Sequence, residues 1–144
     1  MIFTMPIAQA HCDIPCKIYD PMVAQVAALS VARLVDLLLE IDPGSTSMES
    51  QNQLARLVQE KEVQARNVKS EVNIIWGDYF KAPQIEKYPS IHDLVHSIMM
   101  DASRCKQSLD RQSGVDLLEK VTIDSLCVSP KVLIIIFIAC VVKS

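Results

Sequence analysis

Residues 20–41 read DPMVAQVAALSVARLVDLLLEI. Asp20 and Pro21 mark a helix start, with Asp as N-cap and Pro in the first turn, where its missing N–H costs nothing. Behind them Val26, Ser30, Arg33, Leu34, Leu37, Leu38 and Ile41 recur at helical spacing, and most are apolar. Asp42-Pro43-Gly44 ends the pattern. The stretch predicts a long amphipathic helix. Such a helix needs partners, because isolated helices are marginal in water.

The rest of the chain offers them. GSTSMES (44–50) reads as a linker, with Ser47 or Ser50 as the next cap. A second helix is predicted from about Met48 to near Tyr79. Its apolar stripe is Leu54, Leu57, Val58, Val68, Val72, Ile75, Trp76 and Tyr79, and Glu60, Lys61, Glu62 and Lys69 fill the other face. KAPQIEKYP (81–89) reads as an extended loop punctuated by Pro83 and Pro89. Ser90 then caps a third helix, IHDLVHSIMMDASRCKQS, striped by Ile91, Leu94, Val95, Ile98, Met99 and Ala102. A short fourth helix is predicted from about Asp110 to Ile123, with Val115, Leu118 and Val121 inward. Four amphipathic helices on mostly short connections predict an all-α fold, an antiparallel up-and-down four-helix bundle.

Composition agrees. Apolar residues make up 50% of the 144, aromatics 5%, and there are three glycines, a balance that favours helices. The net charge of −3, without a basic block, argues against nucleic acid as a partner. The five cysteines, Cys12, Cys16, Cys105, Cys127 and Cys140, are odd in number and widely scattered. They do not form a secreted disulfide framework.

The N-terminal cysteines stand apart. Residues 8–21 read AQAHCDIPCKIYDP, which crowds His11, Cys12 and Cys16 into one short segment. Before it, MIFTMPIAQA (1–10) ends in small residues like a cleavage site. It lacks the basic n-region and full apolar core of a secretory signal. It is expected to be a short pro-segment, cut by a processing peptidase, on a cytoplasmic protein.

Thiolates are soft donors and imidazole a borderline one. Pro15 resists helix, so Cys12 and Cys16 are expected on a turned loop that brings both sulfurs to one metal. Three side chains do not complete a closed zinc site. Cleavage after Ala10 frees the α-amine of His11. That amine, the Cys12 amide nitrogen and the two thiolates make a planar N2S2 set, with the His11 imidazole available axially. Square-planar N and S donors point to Ni(II) or Cu(II).

His11-Cys12-Asp13-Ile14-Pro15-Cys16, followed by Ile18-Tyr19-Asp20-Pro21, resembles the nickel hook of nickel superoxide dismutases. A second block, Trp76-Gly77-Asp78-Tyr79-Phe80-Lys81 with Pro83, Glu86, Lys87, Tyr88 and Pro89, resembles that family's segment after its second helix. The resemblance runs from about Ala10 to about Lys120. It implies a precursor cleaved before His11, a four-helix bundle, a homohexamer and one nickel ion per subunit. The implied activity converts superoxide to O2 and H2O2 by Ni(II)/Ni(III) cycling. The implied ligands are His11 (amine and imidazole), Cys12 (amide and thiolate) and Cys16 (thiolate). Tyr19 and Tyr79 match tyrosines near the metal, expected to order water, guide small anions and hinder larger reductants. Asp13 and Pro15 are expected to shape the hook.

Three positions depart from the family pattern. Lys17 stands where Gly is common. Ala27 stands where some members hold the axial histidine with a Glu, and Gln64 where they carry the matching Arg, with Arg66 close by. The expected organisation is a cleaved segment 1–10, a hook-and-bundle domain 11–128 and an apolar tail 129–144. The tail's unbroken run Val132–Val142 is shorter than the ~20 residues of a membrane span, so no membrane anchor is expected.

Other readings fit parts of the same sequence. The hook also suits a non-catalytic module that stores or carries nickel or copper, and a degenerate relative could act as an interaction protein. His92 and His96 in HDLVH share a helix face as in zinc proteases, but Asp93 is shorter than the required Glu and no third ligand is evident. Packing is their expected role. Trp76 and Phe80 are expected in a bundle-end aromatic core. Lys17, Lys81 and Lys87 either steer superoxide or form a solvated face.

Overall fold

The computed structural model describes residues 19–128, with side chains as far as Thr122. The elements in it are α1 (Met22–Leu39), α2 (Met48–Ile74), a π-helical turn (Ile75–Tyr79), α3 (Ala82–Lys87), α4 (Ile91–Gln107) and α5 (Arg111–Val128). No strand occurs among the described residues. α1 packs on α2 and α5, and α4 packs on the same two helices. The four long helices therefore close a ring in which chain neighbours are spatial neighbours. This is the antiparallel bundle that the sequence predicts.

The start of α1 lies close to the expected place. Asp20 Oδ1 accepts from the Met22 N–H at 2.9 Å, and Pro21 is the flanking residue. The buried stripe is rotated from the one read off the large side chains. Val26 is 57% exposed, whereas Ala24, Ala27, Ala28, Val31, Leu34, Val35 and Leu38 are buried. The reason is close approach: a Cβ on Gly114 of α5 would meet Ala32 Cα at 3.1 Å. Small residues were selected where backbones nearly touch, and the larger Met22, Val23 and Val26 were left outside. By length and composition α1 could also cross a membrane; here its alanine-rich face lines the core.

α2 also corrects the expectation. Ser47 is its cap, accepting from the Ser50 N–H at 3.1 Å. Leu54 and Val58, assigned to the stripe, are exposed, and Lys61, assigned to the polar face, is 2% exposed. The buried line is Lys61, Ala65, Val68, Val72 and Ile75, a strict helical spacing in which a lysine takes a core position. Lys61 Nζ donates to the carbonyl oxygens of Cys105, Lys106 and Ser108 at 2.7, 3.1 and 2.9 Å. It thereby satisfies the open end of α4, where carbonyls lack intrahelical partners. Burial lowers its pKa.

The segment 81–89 is not wholly extended, because α3 forms inside it. Pro83 falls in the first turn, where no N–H is needed, and Gln84 Oε1 accepts from the Lys81 N–H at 3.2 Å. Ser90 makes no side-chain cap bond to α4; its carbonyl accepts from Leu94 N–H instead. In α4 the stripe Ile91, Val95, Ile98 and Ala102 is buried as expected, joined by Asp101 and Cys105. Both Asp101 oxygens are paired, one with Lys120 of α5 at 2.5 Å and one with Arg104 at 3.2 Å. α5 starts behind Asp110, whose Oδ2 accepts from both the N–H (3.1 Å) and the hydroxyl (2.6 Å) of Ser113. Its inward residues include Leu117, Leu118 and Val121, while Val115 is half-buried.

Candidate metal centre

The implied ligands His11, Cys12 and Cys16, with Asp13, Pro15 and Lys17, lie outside the described residues. The same holds for the processing boundary and the tail 129–144. Among the described residues, no group of three or more His, Cys, Asp or Glu could hold a metal ion. The N-terminal donor set would fit nickel on its chemistry: two thiolates, an amidate and the amine that cleavage would free are the N and S donors that suit a square-planar site, with an imidazole besides.

The described chain begins at Tyr19, three residues after Cys16, and Tyr19 is half-buried against the core. Its ring lies 5.7 Å from that of Tyr79, tilted by 60°. The sequence therefore placed in one site two tyrosines that the fold brings together across sixty residues of chain. Tyr79 also meets Phe80 edge-on, centroids 5.1 Å apart at 88°. Phe80 is 4% exposed and belongs to the core, as expected, so Tyr79 rests on a firm base.

Tyr79 is presented by the π-helical turn Ile75–Tyr79. Such turns are rare and frequent at functional sites. Sequence reasoning treated this stretch as the end of an ordinary helix. Its signals were an aromatic pair at positions 76 and 79 around Gly77, with Pro83 soon after. Lys81 reaches back and donates to the Gly77 carbonyl at 2.8 Å. Trp76, half-buried, donates from Nε1 to His92 Nδ1 at 2.9 Å, with the rings edge-to-face at 5.7 Å.

That bond decides the HDLVH question. An indole N–H only donates, so His92 Nδ1 is the acceptor in that bond. Nδ1 is not available to a metal while the bond stands. His92 and His96 border a groove of about 460 Å³ between α2 and α4, and both are exposed. Of the two, His92 packs against Trp76.

Of the three candidate steering lysines, the two among the described residues are exposed but engaged: Lys81 with Gly77, and Lys87 over the Tyr88 ring at 5.1 Å. Ala27 is buried at 3% exposure and carries no polar group. Gln64 donates to Glu60 Oε1 at 2.6 Å and accepts from Asn67 at 3.4 Å, so its amide is bonded along its own helix. Arg66 is exposed.

A family model described as nickel-containing superoxide dismutase matches residues 6–126. The chain is 35% identical over 112 residues to the superoxide dismutase [Ni] of Streptomyces coelicolor, covering 78% of this chain and 80% of that protein. It is 34% identical over 112 residues to the superoxide dismutase [Ni] of Streptomyces seoulensis, with the same coverage. The fold superposes on a native nickel superoxide dismutase with a TM-score of 0.70 at 33% identity, covering 81% of this chain and 95% of that one. An apo form of a nickel superoxide dismutase gives 0.68 at 30% identity, covering 76% and 93%. With its all-α bundle and paired tyrosines, the chain belongs to the nickel-containing superoxide dismutase family.

Proposed function

We propose that this chain dismutates superoxide with a nickel ion held by its N-terminal hook, after cleavage between Ala10 and His11. The observation that carries the reading is the Tyr19–Tyr79 contact. It supports a hook that springs from the bundle beside a paired aromatic wall. His11 would hold the metal through its α-amine and imidazole, Cys12 through its amide nitrogen and thiolate, and Cys16 through its thiolate.

When bound, nickel supplies a one-electron Ni(II)/Ni(III) couple, by which one superoxide is oxidised to O2 and a second, with two protons, is reduced to H2O2. The chain's own residues do the rest. The anionic sulfur and amidate donors favour the higher oxidation state and so bring the couple within reach of the substrate. The phenol groups of Tyr19 and Tyr79 donate hydrogen bonds to water and small anions, while their rings keep bulkier reductants away. Asp13 and Pro15 shape the hook. Before cleavage the His11 nitrogen is an amide, not an amine, and the donor set is incomplete.

The assembly is a homohexamer in the cytoplasm, trimmed by a processing peptidase. The exposed apolar residues Met22, Val23 and Val26 on one side of α1 support association of copies.

The experiment is to prepare the form starting at His11 and the full-length form, load both with nickel and follow superoxide decay by pulse radiolysis. The trimmed form is expected to bind one nickel and dismutate superoxide, and the full-length form to do neither. A trimmed, loaded protein no faster than free nickel would sink the reading in favour of a storage or carrier module.

A further inference from the structure

We propose that His92 is a positioning residue for this reaction: through the Trp76 indole it holds the π-helical turn that sets Tyr79 against Tyr19. The proposal rests on the reading that these tyrosines flank the metal.

The argument starts from the turn. A π-helical turn carries an extra residue compared with an α-helical one and is the less stable form. If Ile75–Tyr79 relaxed into α register, residues beyond it would rotate by roughly 100°, the angle per residue of an α-helix. Tyr79 would then swing off Tyr19, and Phe80 would leave its core position. Something must hold the wide register. Ile75 is buried at 3% exposure and anchors the start. Lys81 ties the middle through the Gly77 carbonyl at 2.8 Å. Lys81 is local, however, and would follow the turn if it moved.

The tie from outside is His92. It is the second residue of α4, directly after Ile91 and three residues before Val95, which are 1% and 6% exposed. Its backbone is therefore fixed to the core, while its side chain reaches out to the Trp76 N–H at 2.9 Å. The edge-to-face ring contact at 89° adds direction. Trp76 and Tyr79 lie in the same five-residue turn. A constraint on the first is a constraint on the second. The function of His92 is thus to accept one hydrogen bond, and it touches neither metal nor substrate.

The test uses the trimmed, nickel-loaded protein. His92→Leu removes the acceptor, whereas His92→Gln keeps one in Oε1. Trp76 is the only tryptophan, so its emission reports the bond. His92→Leu is expected to bind one nickel, shift the indole emission and slow dismutation by about tenfold or more. His92→Gln is expected to keep both emission and rate within about twofold of the parent. Trp76→Phe, which keeps a ring but loses the N–H, is expected to slow the reaction as His92→Leu does. The proposal is overturned if His92→Leu shifts the emission and leaves the rate unchanged, or if His92→Gln is as slow as His92→Leu. Cys12→Ser separates this outcome from failure of the hook reading: if that variant still dismutates superoxide, the hook is not the site.

Discussion

Lys61 Nζ donates to the carbonyl oxygen of Cys105 at 2.7 Å, in the interior of the bundle and between helices α2 and α4. Two further carbonyls, of Lys106 and Ser108, share the same ammonium. Replacing Lys61 by Met would leave three acceptors without their donor, which outweighs the relief of one buried charge. Lys61→Met is expected to destabilise the bundle by on the order of 3 kcal/mol, read from urea unfolding midpoints.

Gly114 marks where α5 nearly touches α1. A Cβ there would lie 3.1 Å from Ala32 Cα and 3.4 Å from its Cβ. Backbone atoms cannot step aside as a flexible side chain can. Gly114→Val is expected to cost about 2 kcal/mol, since it forces the two helices apart. Thermal unfolding followed by circular dichroism measures this.

Asp110 begins α5 by accepting from Ser113 and Gln112, and these bonds hold its carboxyl below the usual carboxylate value. A lowered folded pKa means that the unfolded chain binds the proton more readily. The stabilisation is therefore complete above about pH 3.9, the ordinary Asp value, and lost as the pH falls through the lower folded value. Asp110→Ala should melt below the parent at neutral pH, and the gap should narrow in acid. A gap independent of pH would contradict this linkage.

Cys105 is 1% exposed, and burial followed by the nearby Asp101 carboxylate pushes its thiol up to about 11. Thiolate is the reactive form toward both alkylators and peroxide. In an enzyme that releases H2O2, this thiol is expected to stay reduced. Mass spectrometry after iodoacetamide at pH 8 should find Cys105 unlabelled in the native protein and labelled in urea.

Removing nickel from the trimmed protein should abolish dismutation yet shift the melting temperature by no more than about 2 °C. The proposed ligands are near neighbours in sequence, so the unfolded chain can chelate almost as well as the folded one. Meanwhile the core residues, from Ala24 to Val121, come after the hook. Calorimetry with and without a chelator tests this; a drop of tens of degrees would mean that the metal holds the bundle together.

Much of the fold was legible because helical periodicity is local. The ends of α1, α4 and the first turn of α2 fell close to Asp20, Ser108 and Ser47. The phase of each stripe was less legible. Val26 looks like core and Ala27 like filler until Gly114 is seen against Ala32. Lys61 looks like surface although its spacing to Ala65, Val68 and Val72 puts it on the buried line. For Lys61 charge outvoted a spacing that was right; for Val26 a helical spacing drawn through the larger side chains chose the wrong phase.

The site divides in the same manner. The amino-acid order alone carried the proposed donor set His11, Cys12 and Cys16, because those atoms would chelate over a few bonds and need no distant partner. It also named Tyr19 and Tyr79. Only the tertiary structure decided that their rings meet at 5.7 Å, that a π-helical turn presents Tyr79, and that Trp76 of that turn donates to His92 of α4. The physical reason is range. Chelation and helix periodicity act between residues a few positions apart, whereas ring contacts and tethers between helices exist only once the bundle has closed.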